Sequence, residues 1–246
     1  MNILVCISKV PDTTSKTAFT DGNTKFDTNG VQWIVNPSDE WYALVRALEL
    51  KEAGGGNVTI ITVGPAEDDS VIRKALAVGA DDAVRINSNG KDSYYVAAQI
   101  AEYAKTKNYD LIITGNQTID YNNAEVGGMI AELIGWDYVT PCNKLDVTGN
   151  ICKIESEVGG ATRILEAPTP LVISASKGMA EQRIPNMRGI MAARTKPITV
   201  VEPADIAPQV KINVFELPPA KSGVKMIDSE NMDELVKLLH TEAKVI

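Results

Sequence analysis

The sequence is poor in the residues on which many catalytic and metal sites depend. Its 246 residues include one histidine, His240, close to the end of the chain. A histidine metal centre or a Ser-His-Asp triad in the body of the chain is therefore nearly excluded. The cysteines, Cys6, Cys142 and Cys152, are odd in number and form no C-x-x-C pair. This argues against a disulfide framework or a cysteine-ligated cluster and favours a reducing compartment.

The sequence also lacks a net positive charge and long apolar runs. The formal net charge is −8, whereas binding to a nucleic-acid polymer needs Lys and Arg to neutralise phosphates. No run approaches the ~20 apolar residues of a membrane-spanning helix, and the N-terminus lacks a signal-peptide pattern. Hydrophobic residues make up 44% and charged residues 23%. We therefore expect an ordinary globular protein without membrane insertion, in the cytoplasm or in an organelle after processing.

The familiar motifs of catalysis and nucleotide binding are missing as well. Neither G-x-G-x-x-G nor the P-loop motif occurs. There is no nucleophile elbow, no H-E-x-x-H motif and no convincing pair of a base and a nucleophile. We therefore assign no catalytic residue and no metal-binding residue to the chain.

What is present is an alternation of apolar runs and helical patterns. Strands are predicted at 3–7, 58–63, 83–86 and 111–114, and helices at 69–78, 93–105 and about 124–133. Another helix begins near Pro37 and ends at the glycines 54–56. The polar stretch 11–30 is predicted to be a loop or a weak hairpin. Such alternation predicts βαβ crossovers and a mostly parallel sheet.

The pattern changes after residue 143. Alternating apolar positions at 144–147, 151–157 and 162–166, separated by glycine-containing turns, predict an antiparallel β meander. Two further strands are predicted at 171–175 and 198–201. The fold class is thus α/β: a Rossmann-like, mostly parallel sheet with helices on both faces, a meander and an extended C-terminal arm.

The length fits one large domain or two modest ones, and we divide the chain at residue 201. Residues 1–201 form the α/β domain, and residues 202–246 form the arm, which is rich in proline. Asp228 or Ser229 is predicted to cap a last helix that runs to about residue 239. The arm either packs on its own domain or embraces a partner subunit.

The loop that follows the strand 111–114 is the strongest candidate binding site. It joins the carboxyl end of a strand to a helix, where ligands bind in open α/β sheets. Gly115 lets a ligand approach the backbone, and Asn116, Gln117 and Asp120 could bind a ribose or a base. Free N–H groups at about 123–126 suit a phosphate. The alternative is a plain βα loop.

Two weaker candidates lie at other junctions. The first is the helix start formed by Asn36, Pro37, Ser38 and Asp39, which suits a phosphate but is also an ordinary helix cap. The second is the turn of Val63, Gly64 and Pro65 at the end of a strand.

A basic segment at 177–196 stands out in an acidic protein. Its positive residues are Lys177, Arg183, Arg188, Arg194 and Lys196, and the apolar Met187, Ile190 and Met191 stand among them. Polarizable methionines suit adaptable protein contacts. The segment is a docking surface for a partner protein or for cofactor phosphates held by another chain, or else a solvated helix with its methionines in the core.

Taken in order, these stretches resemble the β subunit of electron-transfer flavoprotein, including its FixA-type relatives. The similarity runs nearly from end to end. It includes the opening ILVCISKVPD, the helix start NPSDEW, the turn GADDA, the loop GNQTID and the later run from VGG to PTPLV. No one of these motifs is specific, but the ordered set is.

The resemblance implies a heterodimer that carries electrons from dehydrogenases, such as acyl-CoA dehydrogenases, to a quinone reductase or ferredoxin-type acceptor. An α subunit would hold the redox FAD, shared with this chain. Residues 1–201 would bind AMP as a structural element, and the arm 202–246 would pack on the α subunit. In electron-bifurcating relatives a second FAD, which accepts hydride from NADH, replaces the AMP.

The resemblance also assigns site residues. Those expected to contact the nucleotide are Cys6, Asn36, Pro37, Ser38, Asp39, Val63, Gly115, Asn116, Gln117, Thr118, Ile119, Asp120, Tyr121, Asn122, Asn123, Ala124, Glu125 and Val126. Those expected to dock partner dehydrogenases are Arg183, Met187, Arg188, Ile190 and Met191. Here the chain departs from the family, with Gln182 where proline is familiar and Arg188-Gly189 in place of Pro-Asn.

The loop sequence favours AMP over FAD. Ala124, Val126 and Gly127 lean toward the FAD-binding form, but Tyr121 and Asn122 lean away, because a bulky tyrosine would crowd an isoalloxazine ring. The bifurcating subunit with its own FAD is the first alternative. The second is a stress-type adenine-nucleotide-binding protein, whose late glycine-rich loop has no counterpart in the late segment Pro-Asn-Met-Arg-Gly-Ile-Met.

Overall fold

Strands and helices alternate in the computed structural model, which describes residues 1–90, 92–221 and 223–246. The strands are β1 (Asn2–Cys6), β2 (Lys9–Pro11), β3 (Phe19–Thr20), β4 (Lys25–Phe26), β5 (Trp33–Val35), β6 (Asn57–Gly64), β7 (Asp82–Asn87), β8 (Leu111–Gly115), β9 (Asp137–Cys142), β10 (Lys144–Thr148), β11 (Ile151–Val158), β12 (Ala161–Pro168), β13 (Leu171–Ala175) and β14 (Ile198–Val201). The helices are α1 (Asp39–Gly54), α2 (Asp69–Val78), α3 (Ser93–Lys105), α4 (Val126–Ile134), α5 (Met187–Ala193) and α6 (Met232–Leu238).

A seven-stranded sheet forms the centre, in the order β14-β7-β6-β1-β8-β13-β9. All neighbouring pairs are parallel, so the predicted α/β fold is confirmed. Successive residues of a strand point to opposite faces. Ile3 and Val5 of β1 pack with α1 and α2 on one face, and Leu4 and Cys6 pack with α3 and α4 on the other. Burial on both faces explains the continuous apolar runs in the sequence.

The predicted meander is confirmed as a separate three-stranded antiparallel sheet, β10-β11-β12. Alternate residues of its strands, among them Leu145, Cys152 and Ile154, are buried in the same core as α1 and α2. Gly149, Gly159 and Gly160 adopt positive φ at the turns. The stretch 11–30 contains the short hairpin β3-β4, as the sequence suggested.

The sequence interpretation missed three strands and misplaced one helix cap. The short strands β2 and β5, which pair with each other, were not predicted. The sequence did not predict β9, which pairs only with β13 at the edge of the sheet and is largely half-buried, so it lacks an apolar run. The cap of the last helix is Asn231 rather than Asp228 or Ser229. Asn231 Oδ1 accepts a hydrogen bond from Glu234 N at 3.3 Å, whereas Asp228 accepts one from Glu230 N in the preceding turn.

The chain after β14 runs over the surface. In the described part of 202–231 there is neither strand nor helix, and α6 ends in a π-helical turn, Leu239–Ala243. The arm touches its own domain at Ala204, Gln209 and Phe215. No helix in the described ranges has the length and apolar character needed to cross a bilayer.

Candidate ligand-binding site

A cavity of about 650 Å³ opens at the carboxyl ends of β1, β6 and β8. Strand order reverses about β1, and such a crevice is where open α/β sheets bind ligands. Its volume lies within the range of roughly 300–1,000 Å³ typical of small-molecule sites. The cavity brings together most of the residues predicted from the sequence: Cys6, Val63, Gly115, Asn116, Gln117, Thr118, Asp120, Tyr121, Asn123, Ala124, Glu125 and Val126.

The predicted helix start does not line the cavity but contacts the loop that does. Asn36, Pro37, Ser38 and Asp39, together with Ile119 and Asn122, are absent from the cavity lining. The side chain of buried Asn36 donates to Gln117 O at 3.1 Å and accepts from Ile119 N at 3.1 Å. Asn36 thus fixes the loop that lines the cavity, which is a positioning role.

The cavity lining contains a carboxyl group that the sequence interpretation missed. Glu40, in the first turn of α1, is buried. Ser8 N donates to Glu40 Oε2 at 2.7 Å, and Ser8 Oγ lies 2.6 Å from Glu40 Oε1. Burial raises the pKa of Glu40 to about 8, although the bonds from Ser8 act in the opposite direction. The group is therefore largely a neutral acid at pH 7.

Gly115 is required where β8 meets α1. A Cβ atom at this position would lie 2.7 Å from Glu40 Cγ and 3.0 Å from Glu40 N. Only glycine allows the strand and the helix to approach this closely. The same contact brings Glu40 into the cavity beside the loop.

The loop from 116 to 125 is held in an unusual backbone conformation. Asn122 and Ala124 adopt φ values of 53° and 55°, which asparagine tolerates and alanine does not favour. Asn123 Nδ2 donates to Ser93 Oγ at 3.1 Å, which ties the loop to α3. Strained backbone of this kind clusters at ligand sites.

The start of α4 offers backbone donors to the cavity. Glu125 occupies the N-cap position of this helix, and its side chain makes no capping hydrogen bond. The first-turn N–H groups of a helix have no partner within it, and they suit an anion such as a phosphate.

The charge of the lining is negative. Asp92, Asp120 and Glu125 line the cavity beside the largely neutral Glu40, and the described lining residues include neither Lys nor Arg. The Cys6 thiol is neutral here, because burial and nearby Glu40 raise its pKa. An anionic ligand group would therefore be bound by backbone N–H groups, and the carboxylates suit hydroxyl or amino groups.

The other lining residues missed by sequence reasoning come from several places. Ile7 and Ser8 follow β1, Thr114 belongs to β8 and Met129 to α4. Another group lies before or within α3: Gly90, Asp92, Ser93, Tyr94, Val96 and Ile100. The residues at the start of α3 follow β7 and so lie at the same edge of the sheet as the loop of Gly115 to Val126. This position was the signal from which their place in the site could have been predicted. Gln209, Val210 and Ile212 belong to the C-terminal arm, and no local pattern announces this long-range contact.

The predicted docking residues form a second feature, on and before α5. Met187 is 73% exposed and Met191 is 66% exposed, and Ile190 and Arg188 are exposed too. The alternative that placed these methionines in the core is therefore wrong. The half-buried Arg183 donates to Glu52 Oε1 at 2.6 Å, which anchors the segment to α1.

Comparisons with known proteins agree with one another. The family described as "Electron transfer flavoprotein domain" matches residues 23–206. The chain is 36% identical to the electron transfer flavoprotein subunit beta of Bacillus subtilis, over 100% of both chains. It is 34% identical to that of Syntrophomonas wolfei, over 93% of this chain and 90% of the relative. It is 33% identical to the mitochondrial subunit beta of Arabidopsis thaliana, over 100% of both.

Proposed function

The chain belongs to the electron transfer flavoprotein family as a β subunit, and from that premise we propose that it binds AMP in the cavity at the ends of β1, β6 and β8. The AMP is a structural element. The redox FAD is held mainly by an α subunit, and the heterodimer carries electrons from dehydrogenases, such as acyl-CoA dehydrogenases, to a quinone reductase or ferredoxin-type acceptor in the cytoplasm. The observation that carries the proposal is the cavity itself, lined by the loop from Gly115 to Val126.

The lining provides complementary chemistry for each part of an adenylate. The uncapped start of α4 and the strained loop before it suit the phosphate. Asp120 offers acceptor oxygens for ribose hydroxyls. Val63, Val96 and Ile100 supply an apolar wall for the flat face of a purine.

A second candidate ligand is FAD, as in the bifurcating form of the family that accepts hydride from NADH. Ala124, Val126 and Gly127 favour it, because they match the FAD-binding form of the loop. The cavity of about 650 Å³ lies within the range for small-molecule sites in general and so is compatible with either ligand. Tyr121 argues for AMP, because its bulky side chain lines the cavity where a flavin ring would extend. Family membership argues against the stress-type nucleotide-binding protein.

Two exposed apolar surfaces support the proposed assembly. Residues 202–246 serve as an arm on the α subunit, since Leu217, Val224 and Met226 lie along it and are 57–86% exposed. The surface on and before α5, with Met187, Ile190 and Met191 flanked by Arg183 and Arg188, docks dehydrogenases. Exposed apolar side chains with a charged rim are the usual composition of such interfaces.

Nucleotide analysis of the purified heterodimer tests the proposal. The complex, co-expressed with its α subunit, is denatured, and the released nucleotides are quantified. We expect AMP and FAD in equal amounts. Two FAD molecules and no AMP would select the bifurcating form, and the lack of any adenine nucleotide beyond one FAD would contradict both.

An Asp120→Ala variant tests the site assignment. Because it removes the acceptor oxygens offered to the ribose, we expect at least about tenfold weaker AMP retention. Asp137→Ala, at the exposed start of β9, is the matched control and should retain AMP. Equal AMP content in the two variants would remove Asp120 from the site.

A further inference from the structure

The C-terminal arm forms part of the cavity wall. After β14, at the edge of the sheet, the chain passes α3, and Gln209, Val210 and Ile212 then line the cavity. These residues are distant in sequence from the loop of Gly115 to Val126, but they line the same cavity. The segment 204–215 is here called the strap.

One anchor of the strap is Gln99 on α3. This side chain is 1% exposed. Its Nε2 donates to Ala204 O at 2.8 Å, and its Oε1 accepts from Ala204 N at 2.8 Å. A buried amide needs hydrogen-bond partners, and the strap backbone supplies them to both ends of this amide.

The second anchor is Asp92, the N-cap of α3. Its Oδ1 accepts from Tyr95 N at 2.6 Å, which caps the helix. Its Oδ2 accepts from Gln209 N at 2.5 Å and from Val210 N at 2.6 Å. These backbone bonds lower the pKa of Asp92 although burial opposes them. One carboxylate thus joins the start of α3 to the part of the strap that lines the cavity.

The far end of the strap is fixed on the β3-β4 hairpin. The ring of Phe215 stacks on that of Phe19, with centroids 4.9 Å apart and an interplanar angle of 10°. Phe215 N also donates to Asn23 O at 2.8 Å. The strap is therefore held on both sides of the segment that lines the cavity.

Beyond the strap the arm exposes apolar side chains. Leu217, Val224, Met226, Val245 and Ile246 are all exposed. Under the proposed function this part lies on the α subunit. The strap is then a continuous stretch of chain between the nucleotide and the subunit interface.

We propose that the strap, latched by Asp92, keeps the bound nucleotide in the cavity, so that the nucleotide leaves only when residues 204–215 detach. This inference rests on the proposed function, because it takes an adenine nucleotide as the occupant. Asp92 is a positioning residue: it acts on the nucleotide through the strap. A consequence is that the α subunit, by holding the rest of the arm, slows nucleotide release.

The test uses the heterodimer loaded with radiolabelled AMP and diluted into unlabelled AMP. Asp92→Asn is the decisive variant, because asparagine caps helices as well as aspartate does. Its single carbonyl oxygen cannot serve both Tyr95 N and the two strap N–H groups. We expect AMP release to be about tenfold faster or more, together with faster hydrogen exchange at Gln209 and Val210. Glu102→Gln, the same change on an exposed residue of α3, is the control and should match the wild type.

Two further variants keep the proposal testable if Asp92→Asn does not fold. Gln99→Met removes the first anchor with little change in volume, and Phe215→Ala removes the last. Faster release in either supports the strap. Unchanged release in both, or unchanged release in Asp92→Asn despite faster exchange at Gln209 and Val210, would overturn it and leave the nucleotide site intact. A wild-type heterodimer without any adenine nucleotide in this chain would instead refute the proposed function, and the strap with it, before any substitution is made.

Discussion

At the scale of single residues, the site depends on side chains whose chemistry is set by their surroundings. Glu40 is an ordinary helix residue by sequence, and burial beside Ser8 makes it a largely neutral acid in the cavity lining. Asn36 resembles a helix cap in the sequence, but its side chain makes hydrogen bonds to the loop backbone at Gln117 and Ile119. Such roles depend on contacts between distant parts of the chain. Local sequence patterns can therefore indicate that a residue lies near the site, but they do not identify the residue that it contacts.

The pH dependence of stability tests the environment of Glu40. Its pKa is raised from 4.5 to about 8, so the folded chain holds this proton more tightly than the unfolded chain. The free energy of unfolding should therefore fall as pH rises from 4.5 to about 8. Glu40→Gln keeps a neutral partner for both groups of Ser8 and removes this slope. At pH 8 we expect the variant to be more stable than the wild type by about 1–4 kcal/mol, measured by urea unfolding.

The control for that measurement is Glu132→Gln, on the exposed side of α4, which should keep the wild-type slope. The assignment fails if Glu40→Gln and the wild type lose stability in parallel between pH 5 and pH 8. It also fails if the variant is the less stable of the two at pH 8.

At the scale of elements, the sequence predicts those strands that are buried or rich in β-branched residues. The strand β13 was predicted with its observed bounds, because all its residues are buried and apolar or small. The edge strand β14 was found as well, since Ile-Thr-Val-Val is rich in β-branched residues. The edge strand β9 carries Asp137 and Pro141 and has no such pattern. The contact between the arm and α3 had no local signal.

The short helix α5 shows why its exposed face could not be deduced from spacing alone. Gly189 packs so closely on α2 that an added Cβ would lie 2.3 Å from Ala77 O. This approach buries Ala193 and turns Met187, Ile190 and Met191 outward. Their apolar character fits core and interface equally well in the sequence, and only the packing of α5 decides between them.

The proposed docking role of this helix predicts a specific kinetic defect. Met187→Ala should leave the fold intact, because the side chain is exposed. Loss of one apolar anchor from an interface costs about 1–2 kcal/mol. We therefore expect roughly a tenfold rise in the KM for the heterodimer in electron transfer from a partner dehydrogenase, with kcat little changed. Val158→Ala, an exposed apolar residue at the end of β11, is the control, and identical KM values for the two variants would rule out the docking role.

At the scale of the whole molecule, the chain is one part of an electron carrier. Its family membership rests on a match over residues 23–206 and on relatives 33–36% identical. Proposed in addition are the AMP in the cavity, the α subunit with the redox FAD, and the division of the chain at residue 201. The proposed division is based on two observations: residues 1–201 contain the central sheet and its cores, whereas several apolar residues of the described part of the arm are exposed.

The central claim is that an adenylate occupies the crevice where β1, β6 and β8 end. The most direct measurement is an experimental structure of the heterodimer at a resolution that distinguishes a purine from side chains. We predict density for a nucleotide beside Cys6 and Asp120, with its phosphate at the start of α4 and the strap closed over it. A crevice filled by repacked side chains, or an adenylate bound elsewhere in the complex, would contradict the account.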